Sequence, residues 1–460
     1  MSRSPFDVPR RHAVSRAARA VRAALVLATI AGMASATLAT PALAQTTTTT
    51  GDRKLKDLLP GLFSFGDCGE PLCLAGSANA ANGHGSHFIS SAVGTNATIL
   101  NFLGEAVGTG LSNIPISAAN SGVTFSFEGG RPVRTATSAG PVFGERAQTL
   151  GRRRLLMGAS VTGINYTTLR GRPLRDLNFI FTHQNVGDSL YGNPDFENES
   201  IGVNMSMDIN LIISTAFLTY GLFDNLDVSV AVPWVNTRLR ASSVGQINPF
   251  GPNGPHYFGG DAANPILRAV ASVDGSASGI GDVAGRVKLN LSRTPKFGLS
   301  LLADARIPTG DEENLLGAGH SSVRGLVVAS TQVGTFAPHL NAGYVQRSGQ
   351  YGADGVLATF GFDQLVAPWA TFAADLITES PVGNNSPPLP SEVSYDTPYR
   401  RTVNPTDVPR VKDRYASLSV GMKFTTANGV QLLTNAIVPL QRAGLQADAV
   451  WTFGLEKAFF

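Results

Sequence analysis

The sequence has few charged residues, few cysteines and no long apolar run, and each of these shortages excludes a class of protein. Only 15% of its 460 residues are charged, and it contains two cysteines, too few for a small disulfide-stabilised scaffold. Beyond residue 44, no run approaches the roughly 18 to 20 apolar residues of a membrane-spanning helix. No Walker loop, dinucleotide fingerprint or nucleophile motif is recognisable. The sequence therefore predicts neither an enzyme nor a protein that binds a cofactor.

The first 44 residues have the composition of an export signal. They contain six arginines against one aspartate, an apolar run at 23–33, and small residues at 42–44 that suit a cleavage site. This order is typical of a secretory signal peptide, which we predict over residues 1–44. The formal net charge of the whole chain is +3, and this leader supplies all of the positive excess. Because the remaining chain is slightly acidic, no nucleic-acid partner is predicted.

The two cysteines, Cys68 and Cys73, lie close together in the stretch CGEPLC. In an exported chain such a pair predicts a small local disulfide. The alternative, a metal site, would need more ligands than this pair offers. The nearest histidines, His84 and His87, lie in a tract rich in Gly, Asn and Ser, which we interpret as a flexible loop. The sequence therefore predicts no metal site.

From about residue 121 onward, apolar and polar residues alternate in many short segments. In LDVSVAVPW at 226–234 the apolar residues recur at every second position, which is the period of a strand with one apolar face. Short turns such as 223–225 alternate with long loops rich in Gly, Pro and Asn, at 241–278, 310–321 and 381–412. This alternation matches the two ends of an outer-membrane barrel. We therefore predict an all-β fold, an antiparallel transmembrane β-barrel of about 12 to 14 strands over residues 121–460.

A water-soluble β-protein would show nearly the same pattern, with its apolar faces in a shared core. The predicted signal peptide, the scarcity of helices, the aromatic residues near strand ends and the charges on the polar faces favour lipid outside and a polar lumen inside. The residues predicted to line the lumen are Asp208, Asp227, Asp282, Arg286, Lys288, Asp304, Arg306, Arg324 and Lys423. They either line a selective pathway or neutralise one another while filling the barrel.

The segment before the barrel, residues 45–120, differs in kind from the alternating strands. Apolar residues recur every three or four positions over 98–111, which predicts a short amphipathic helix. We predict that this head segment folds inside the lumen as a plug with a dry apolar pocket. The residues predicted to form the pocket are Leu58, Leu59, Leu62, Phe63 and Phe65. The alternative is a segment that lies on the surface or is disordered.

Asp311, Glu312 and Glu313 lie just after a predicted strand and open a long loop. Three carboxylates at the mouth of a loop offer the oxygen ligands that Ca²⁺ prefers. The alternative is an ordinary solvated loop, in which the carboxylates interact with water.

Three motifs occur in a fixed order in the second half of the chain. They are YGLFDNLDVSVAVP at 220–233, GIGDVAGRVKLNL at 279–291 and RIPTGDEENLLGAGHSS at 306–322. With these motifs the sequence resembles the family of outer-membrane proteins described as transporters of the meta pathway of phenol degradation. The stretch GPVFGERAQTLGRRRLLMGASV at 140–161 also looks like the opening of such proteins. The family is similar in architecture to outer-membrane carriers of long-chain fatty acids and aromatic hydrocarbons.

Together, the pattern and the resemblance imply a monomeric channel in the bacterial outer membrane for passive uptake of small hydrophobic or aromatic compounds. Its expected partners are that solute, outer-membrane lipid and the barrel-assembly machinery. The alternative is a structural or adhesive barrel with a sealed lumen, whose long loops bind a surface partner. A third hypothesis, an interfacial hydrolase, would need a serine and a histidine joined by an orienting residue.

Overall fold

The computed structural model describes residues 53–65, 70–74, 87–90, 93–112, 125–128, 131–134, 138–183, 199–250, 256–294, 297–349, 352–383, 387–396 and 399–459. The predicted signal peptide lies outside these residues. Cys68, the predicted partner of Cys73, also lies outside them. Cys73 is disulfide-bonded. Within these ranges, three helical segments precede the strands: α1 (Leu55–Leu58), the 3-10 helix η1 (Leu59–Phe63) and α2 (Gly94–Ser112). The last of these confirms the predicted helix. Within the described ranges, no helix has both the length and the apolar character needed to cross a membrane.

The rest of the fold is built from strands. In chain order they are β1 (Phe125–Glu128), β2 (Arg131–Arg134), β3 (Leu155–Leu169), β4 (Arg172–Pro173), β5 (Leu177–Thr182), β6 (Ser200–Phe223), β7 (Leu226–Asn248), β8 (Gly259–Gly260), β9 (Pro265–Ile266), β10 (Arg268–Ile280), β11 (Val283–Arg293), β12 (Phe297–Ile307), β13 (Ser322–Thr331), β14 (Phe336–Arg347), β15 (Asp354–Ala367), β16 (Ala370–Val382), β17 (Val393–Tyr395), β18 (Arg401–Val403), β19 (Tyr415–Thr425), β20 (Val430–Pro439) and β21 (Leu445–Phe459).

Twelve of these strands form a closed antiparallel barrel, which confirms the predicted fold class. In order around the wall they are β3, β6, β7, β11, β12, β13, β14, β15, β16, β19, β20 and β21. The barrel closes where β21 pairs with β3, from Leu445 opposite Leu169 to Phe459 opposite Leu155. Closure leaves no unpaired sheet edge in the wall, as a bilayer requires. The wall begins at Leu155, so the predicted 121–460 division also contains residues that precede it, including the separate hairpin β1–β2.

One hairpin, β6–β7, is about twice as long as most others and rises beyond the barrel wall at the long-loop end. Its outer part pairs with β5 on one side and with β10 on the other. We call the four paired segments of β5, β6, β7 and β10 the extension. The predicted loop at 241–278 was therefore wrong in two places, since β7 continues to Asn248 and β10 begins at Arg268. The prediction missed β10 because most residues of that strand are Ala, Ser or Gly, so apolar and polar residues alternate only weakly along it.

The outer face of the β6–β7 hairpin changes character along its length. Near the turn it is apolar, with Leu218 and Val230 among its exposed side chains. Past Ile212 on β6 and Trp234 on β7 the same face becomes polar, and residues such as Asn210 and Arg238 replace the apolar ones. The inner face changes in the opposite sense, because odd-numbered residues 201–213 of β6 are buried and apolar. The barrel part is thus built for lipid outside, and the extension for water outside.

Aromatic side chains mark the two edges of the apolar band. Trp369 and Phe459 are exposed at the short-turn end, and Trp234 and Trp451 are exposed higher on the wall. Trp451 precedes Phe459 by eight residues on β21. Eight residues span about 26 Å along a strand, or about 20 Å along the axis of a barrel whose strands tilt by about 40°. This height is close to the apolar band of roughly 25 Å found on outer-membrane barrels.

The described part of the head packs against the inner face of the extension. Leu55, Leu62 and Phe63 are fully buried there, in one apolar core with residues of β5, β6, β7 and β10. The Phe63 ring lies edge-on to Phe181, with 5.2 Å between ring centroids. The α2 helix joins the same core through residues that include Leu103. The predicted apolar residues of the head therefore belong to this packed core at the long-loop end: Leu58, Leu59, Leu62, Phe63 and Phe65.

Candidate functional site

Residues 138–150, which immediately precede the first barrel strand, lie across the interior of the barrel near the short-turn end. Their backbone is held by side chains from the surrounding strands. The amide of Glu145 donates to Asn341 on β14 at 2.8 Å, and the amide of Leu150 donates to Asp227 on β7 at 2.8 Å. The carbonyl of Ala147 accepts hydrogen bonds from Asn290 and Ser300. We call residues 138–150 the lumen segment.

Buried ion pairs fix the two charged side chains of the lumen segment. Arg146 is bound to Asp363 on β15, with Nε 2.8 Å from Oδ1, and neither side chain is more than 3% exposed. Glu145 pairs with Arg286 and with Lys288, at 2.5 and 2.8 Å. Because both signs are neutralised inside the barrel, the segment can remain there without an uncompensated buried charge.

Seven of the nine residues predicted to line the lumen have side chains on the inner face of the wall or beside the lumen cavity: Asp227, Arg286, Lys288, Asp304, Arg306, Arg324 and Lys423. Most of them are paired. Asp304 contacts both Arg286 and Arg324, and Lys423 contacts Glu456 on β21 at 3.2 Å. Paired charges of this kind fit the hypothesis of mutual neutralisation, and they also set the polarity of the interior.

Asp208 does not line the lumen, and for this residue the prediction was wrong, whereas Asp282 binds a neighbouring loop. Asp208 lies on the extension, between the buried residues Met207 and Ile209, so it faces outward, opposite Arg240. Asp282 lies between β10 and β11. Its carboxylate accepts the backbone N–H groups of Gly310 and Ala318, at 3.1 and 2.8 Å.

Two of the sequence motifs are thereby joined in space. Asp282 ends the Gly-Ile-Gly-Asp stretch, and Gly310 and Ala318 belong to the loop at 308–321. Thr309 adds a hydrogen bond from its hydroxyl to the carbonyl of Gly281, at 2.7 Å. A Cβ atom on Gly317 would lie 2.5 Å from Oδ1 of Asp282, so glycine is required for this close approach. These contacts give the motifs a structural explanation: they fold a long loop back onto the wall.

The same loop also holds the start of the head. Nζ of Lys54 lies 2.7 Å from Oδ2 of Asp311, and the amide of Lys56 donates to the carbonyl of Glu313 at 2.8 Å. Partial burial raises the pKa of Asp311, but hydrogen bonds from Lys54 and Asn314 outweigh burial and hold this pKa below its usual value. The carboxylate of Asp311 thus binds the side chains of Lys54 and Asn314. In the Ca²⁺ hypothesis this carboxylate would instead bind a cation, whereas the neighbouring Glu312 is exposed, as the solvated-loop alternative predicts.

A cavity of about 250 Å³ lies inside the barrel above the lumen segment. One side of its wall is apolar and includes Ile164, Tyr166 and Leu445, which also belong to the core beneath the head. Asn341, which holds the backbone of Glu145, is also in the wall. The cavity therefore lies between the head at the long-loop end and the lumen segment at the short-turn end. Its volume suits a molecule smaller than a typical drug.

Charged side chains form the other side of the cavity. Arg306, Arg324 and Arg347 line it together with Asp304 and Glu379. Arg347 pairs with Glu379 at 2.8 Å, and Arg324 pairs with Asp304 at 3.3 Å. Within the described residues, Nε of Arg324 is buried and has no hydrogen-bond partner. With three arginines against two carboxylates, this side favours a ligand that carries an acceptor or a negative charge.

Sequence reasoning missed both the lumen segment and two of the five charged residues of this wall. Arg347 and Glu379 were not selected, because each is a single charge near the end of a predicted strand. The lumen segment has no strand period, although the stretch from 140 to 161 carries part of the family resemblance. A charged pair, Glu145-Arg146, just before the first regular strand is the signal that could have pointed to it.

Replacing Asp282 by alanine is expected to loosen the loop at 308–321. Two backbone N–H groups lose a charged acceptor, and each such hydrogen bond contributes roughly 1.5 to 3 kcal/mol. Amide hydrogen exchange at Gly310 and Ala318 should therefore accelerate at least about tenfold, since every 1.4 kcal/mol is a factor of ten. The matched control is Asp274→Ala, which removes an exposed carboxylate from the adjoining strand β10. Equal protection of both amides in the two variants would contradict this account of the motif.

Residues 198–357 match the model of a family described as "Putative MetA-pathway of phenol degradation", which confirms the resemblance over that part of the chain. Three solved structures are similar to this chain. An outer-membrane channel from Pseudomonas putida F1 is 13% identical, with a TM-score of 0.40 and coverage of 68% of this chain and 98% of that one. The toluene transporter TbuX of Ralstonia pickettii is 10% identical, with a TM-score of 0.33 and coverage of 76% and 99%. A FadL homologue from Pseudomonas aeruginosa is 11% identical, with a TM-score of 0.30 and coverage of 67% and 90%.

None of the curated proteins compared matches the sequence.

Proposed function

We propose that this protein is an outer-membrane channel for the passive uptake of small aromatic molecules that carry an acceptor or an anionic group. The observation that carries the proposal is the cavity inside the closed barrel, which is apolar on one side and rich in arginine on the other. An aromatic ring fits the side formed by Ile164, Tyr166 and Leu445. A carboxylate or sulfonate on that ring fits the side formed by the arginines, because guanidinium groups bind such anions through parallel hydrogen bonds.

The surroundings of the cavity support transport. Lipid outside the barrel fits the exposed apolar band and its aromatic edges. The matched family and the three similar structures are consistent with an outer-membrane barrel, and TbuX is described as a toluene transporter. The proposed partners are therefore outer-membrane lipid and a small aromatic solute. The proposal also includes three further points: residues 1–44 direct export, the barrel-assembly machinery inserts the protein, and the protein acts as a monomer.

We propose that the solute leaves the cavity on its apolar side, where the wall is least regular. The register between β21 and β3 shifts between Ala447 and Val450. On the other side of β21, pairing with β20 reaches only Ile437 opposite Val450. Ala447, Val450 and Ile437 all line the cavity. Short or irregular pairing lowers the free energy of local opening, so this part of the wall is where the cavity is proposed to open.

Uptake of benzenesulfonate into lipid vesicles tests the proposal, because this permanently charged aromatic anion does not cross lipid as a neutral acid. Vesicles that contain the purified mature protein should take it up faster than empty vesicles. In Arg324→Gln the uptake rate should fall at least about tenfold, since a hydrogen bond to a charged group contributes roughly 1.5 to 3 kcal/mol. Arg324→Lys should retain part of the rate because it keeps the charge.

The matched control is Arg268→Gln, which changes an exposed arginine at the start of β10. Its uptake rate should equal that of the wild type. Binding of benzenesulfonate without any uptake would instead favour the alternative, a structural or adhesive barrel with a sealed lumen. Equal uptake by Arg324→Gln and the wild type would show that the arginine side of the cavity plays no part in transport.

A further inference from the structure

Three buried histidines from distant parts of the chain meet at the long-loop end. His87 belongs to the head, His183 directly follows β5, and His256 follows β7. Their relative exposures are 3%, 7% and 2%. One ring nitrogen from each histidine lies within 4.8 Å of the corresponding nitrogens of the other two. None of the three lines the lumen cavity.

We propose that these histidines form a binding site for one divalent transition-metal ion, Zn²⁺ being the best fit, which fastens the head to the extension. Three imidazole nitrogens are a common ligand set for Zn²⁺, and they leave a fourth tetrahedral position for water or another donor. Imidazole also suits Cu²⁺ and Ni²⁺, whereas Ca²⁺ and Mg²⁺ prefer oxygen ligands. The proposal differs from the sequence prediction of no metal site, which treated His87 and its neighbours as part of a loop.

The spacing of the three nitrogens is close to that of a tetrahedral site. With Zn–N bonds of about 2.05 Å, ligand nitrogens in a tetrahedron lie about 3.3 Å apart. Nδ1 of His87 lies 2.8 Å from Nε2 of His183, and the largest separation in the set is below 4.8 Å. Movements on the order of 1 Å would therefore complete the geometry, a distance that side-chain rotation of the histidines can supply.

Glu199 orients one of the ligands. Its carboxylate is 1% exposed and lies 2.5 Å from Nδ1 of His256. It also accepts the backbone N–H of His256 at 3.2 Å. A carboxylate that accepts Nδ1–H leaves Nε2 of the same ring as the metal-binding atom, and metal-bound histidines commonly have such a partner. The hydrogen bond to the carboxylate also makes the imidazole a stronger donor to the metal.

The backbone next to the other two histidines is fixed by a single buried side chain of α2. Asn96 donates to the carbonyl of Phe88 at 2.6 Å and to the carbonyl of Thr182 at 3.2 Å. Its own Oδ1 accepts the N–H of Thr182 at 3.2 Å. Phe88 follows His87 and Thr182 precedes His183, so Asn96 holds both ligands at a set separation. A preorganised site of this kind binds a metal without paying for the ordering of loops.

Phe88 covers one side of the cluster. Its ring lies edge-on to His183 and to His256, with centroids 5.3 and 5.6 Å apart. An apolar cover excludes water and limits the open coordination position, which favours a structural ion over a catalytic one. Because the ligands come from the head, the residue after β5 and the segment after β7, the ion would join three segments that are distant in the sequence.

Metal titration of the full mature chain tests the proposal. The protein is produced without a polyhistidine tag, stripped with a chelator in detergent, and titrated with ZnCl₂ by calorimetry. We expect saturable binding of one Zn²⁺ per chain. His183→Gln and His256→Gln should each weaken binding by more than tenfold, and Glu199→Gln by about 10- to 100-fold. The control His320→Gln changes a histidine in the loop at 308–321 and should bind like the wild type.

A second measurement uses the wild-type protein alone and does not depend on how the variants fold. Co²⁺ in place of Zn²⁺ should give the visible absorption of a four-coordinate nitrogen site, and one equivalent of Zn²⁺ should abolish it. Failure of the wild type to bind Zn²⁺ saturably, or an absorption spectrum typical of hydrated Co²⁺, would show that the three residues are only a hydrogen-bonded histidine cluster. Equal loss of affinity in His320→Gln would also overturn the proposal.

Discussion

Replacing Arg146 by alanine is expected to open the barrel interior to small polar solutes. Arg146 is the buried partner of Asp363, and Ser138 also binds this carboxylate. Removing one member of a buried ion pair typically costs about 3 to 5 kcal/mol, because the other charge stays behind without compensation. The structure can relieve this cost by displacing the lumen segment and admitting water to Asp363. Since 1.4 kcal/mol is a factor of ten, the displaced state should become at least about 100-fold more populated.

Single-channel conductance in planar bilayers and arabinose-driven swelling of vesicles measure this opening. Both should rise clearly above the wild type in Arg146→Ala. The matched control, Arg152→Ala, removes an exposed arginine just beyond the lumen segment and should leave both unchanged. In the double variant Arg146→Met with Asp363→Leu, no charge is left behind, so low conductance should return. Conductance equal to the wild type in Arg146→Ala would show that this ion pair does not hold the lumen segment.

The barrel itself was predictable because lipid imposes a simple pattern. Each strand in the wall has one face in hydrocarbon, so alternation such as that of residues 226–234 survives along the strand. The register of the pairs follows from this alternation and from short turns such as residues 224–225. Closure could also be inferred, because an open sheet edge is not tolerated in a bilayer. The strand β10 escaped prediction because neither of its faces is strongly apolar.

Asp208 shows where the same reasoning fails. On the barrel part of β6, the polar register faces inward and the apolar register faces lipid. Above Ile212 the two faces of β6 change environment. The inner face packs against the apolar surface of the head, and the outer face contacts water. The apolar register therefore moves from the even to the odd positions, through the consecutive apolar residues Leu211, Ile212 and Ile213. Such a run inside a strand is the sequence signal that a wall strand leaves the membrane.

The candidate sites depend on contacts between residues far apart in the chain, and periodicity does not report these. The lumen segment contacts strands up to about 230 residues away. Its hydrogen bonds go from backbone groups to side chains, so they leave no repeating pattern in the sequence. Two histidines of the proposed metal site, His87 and His183, are 96 residues apart in the sequence. Their meeting follows from the long β6–β7 hairpin and its extension, which only the structure reveals.

Arginine placed at two positions on the outer face of β7 should have very different effects on stability in a bilayer. Val230 lies within the apolar band and is 41% exposed, whereas Ser242 lies on the same face of the same strand but within the extension. An arginine near the middle of the band costs about 2 to 4 kcal/mol on an outer-membrane barrel. Val230→Arg should therefore lose this much folding free energy, and Ser242→Arg should lose almost none.

Urea-dependent unfolding from phosphatidylcholine vesicles measures both values against the wild type. Heat-modifiable migration on gels confirms that each variant has folded. The pair separates the lipid-facing wall from a water-soluble sheet, because the two substitutions add the same charge to the same strand face and differ only in height. In a soluble β-protein both arginines would reach water, and their effects would be alike and small. Equal costs at the two positions would therefore rule out the membrane boundary that we place at Ile212 and Trp234.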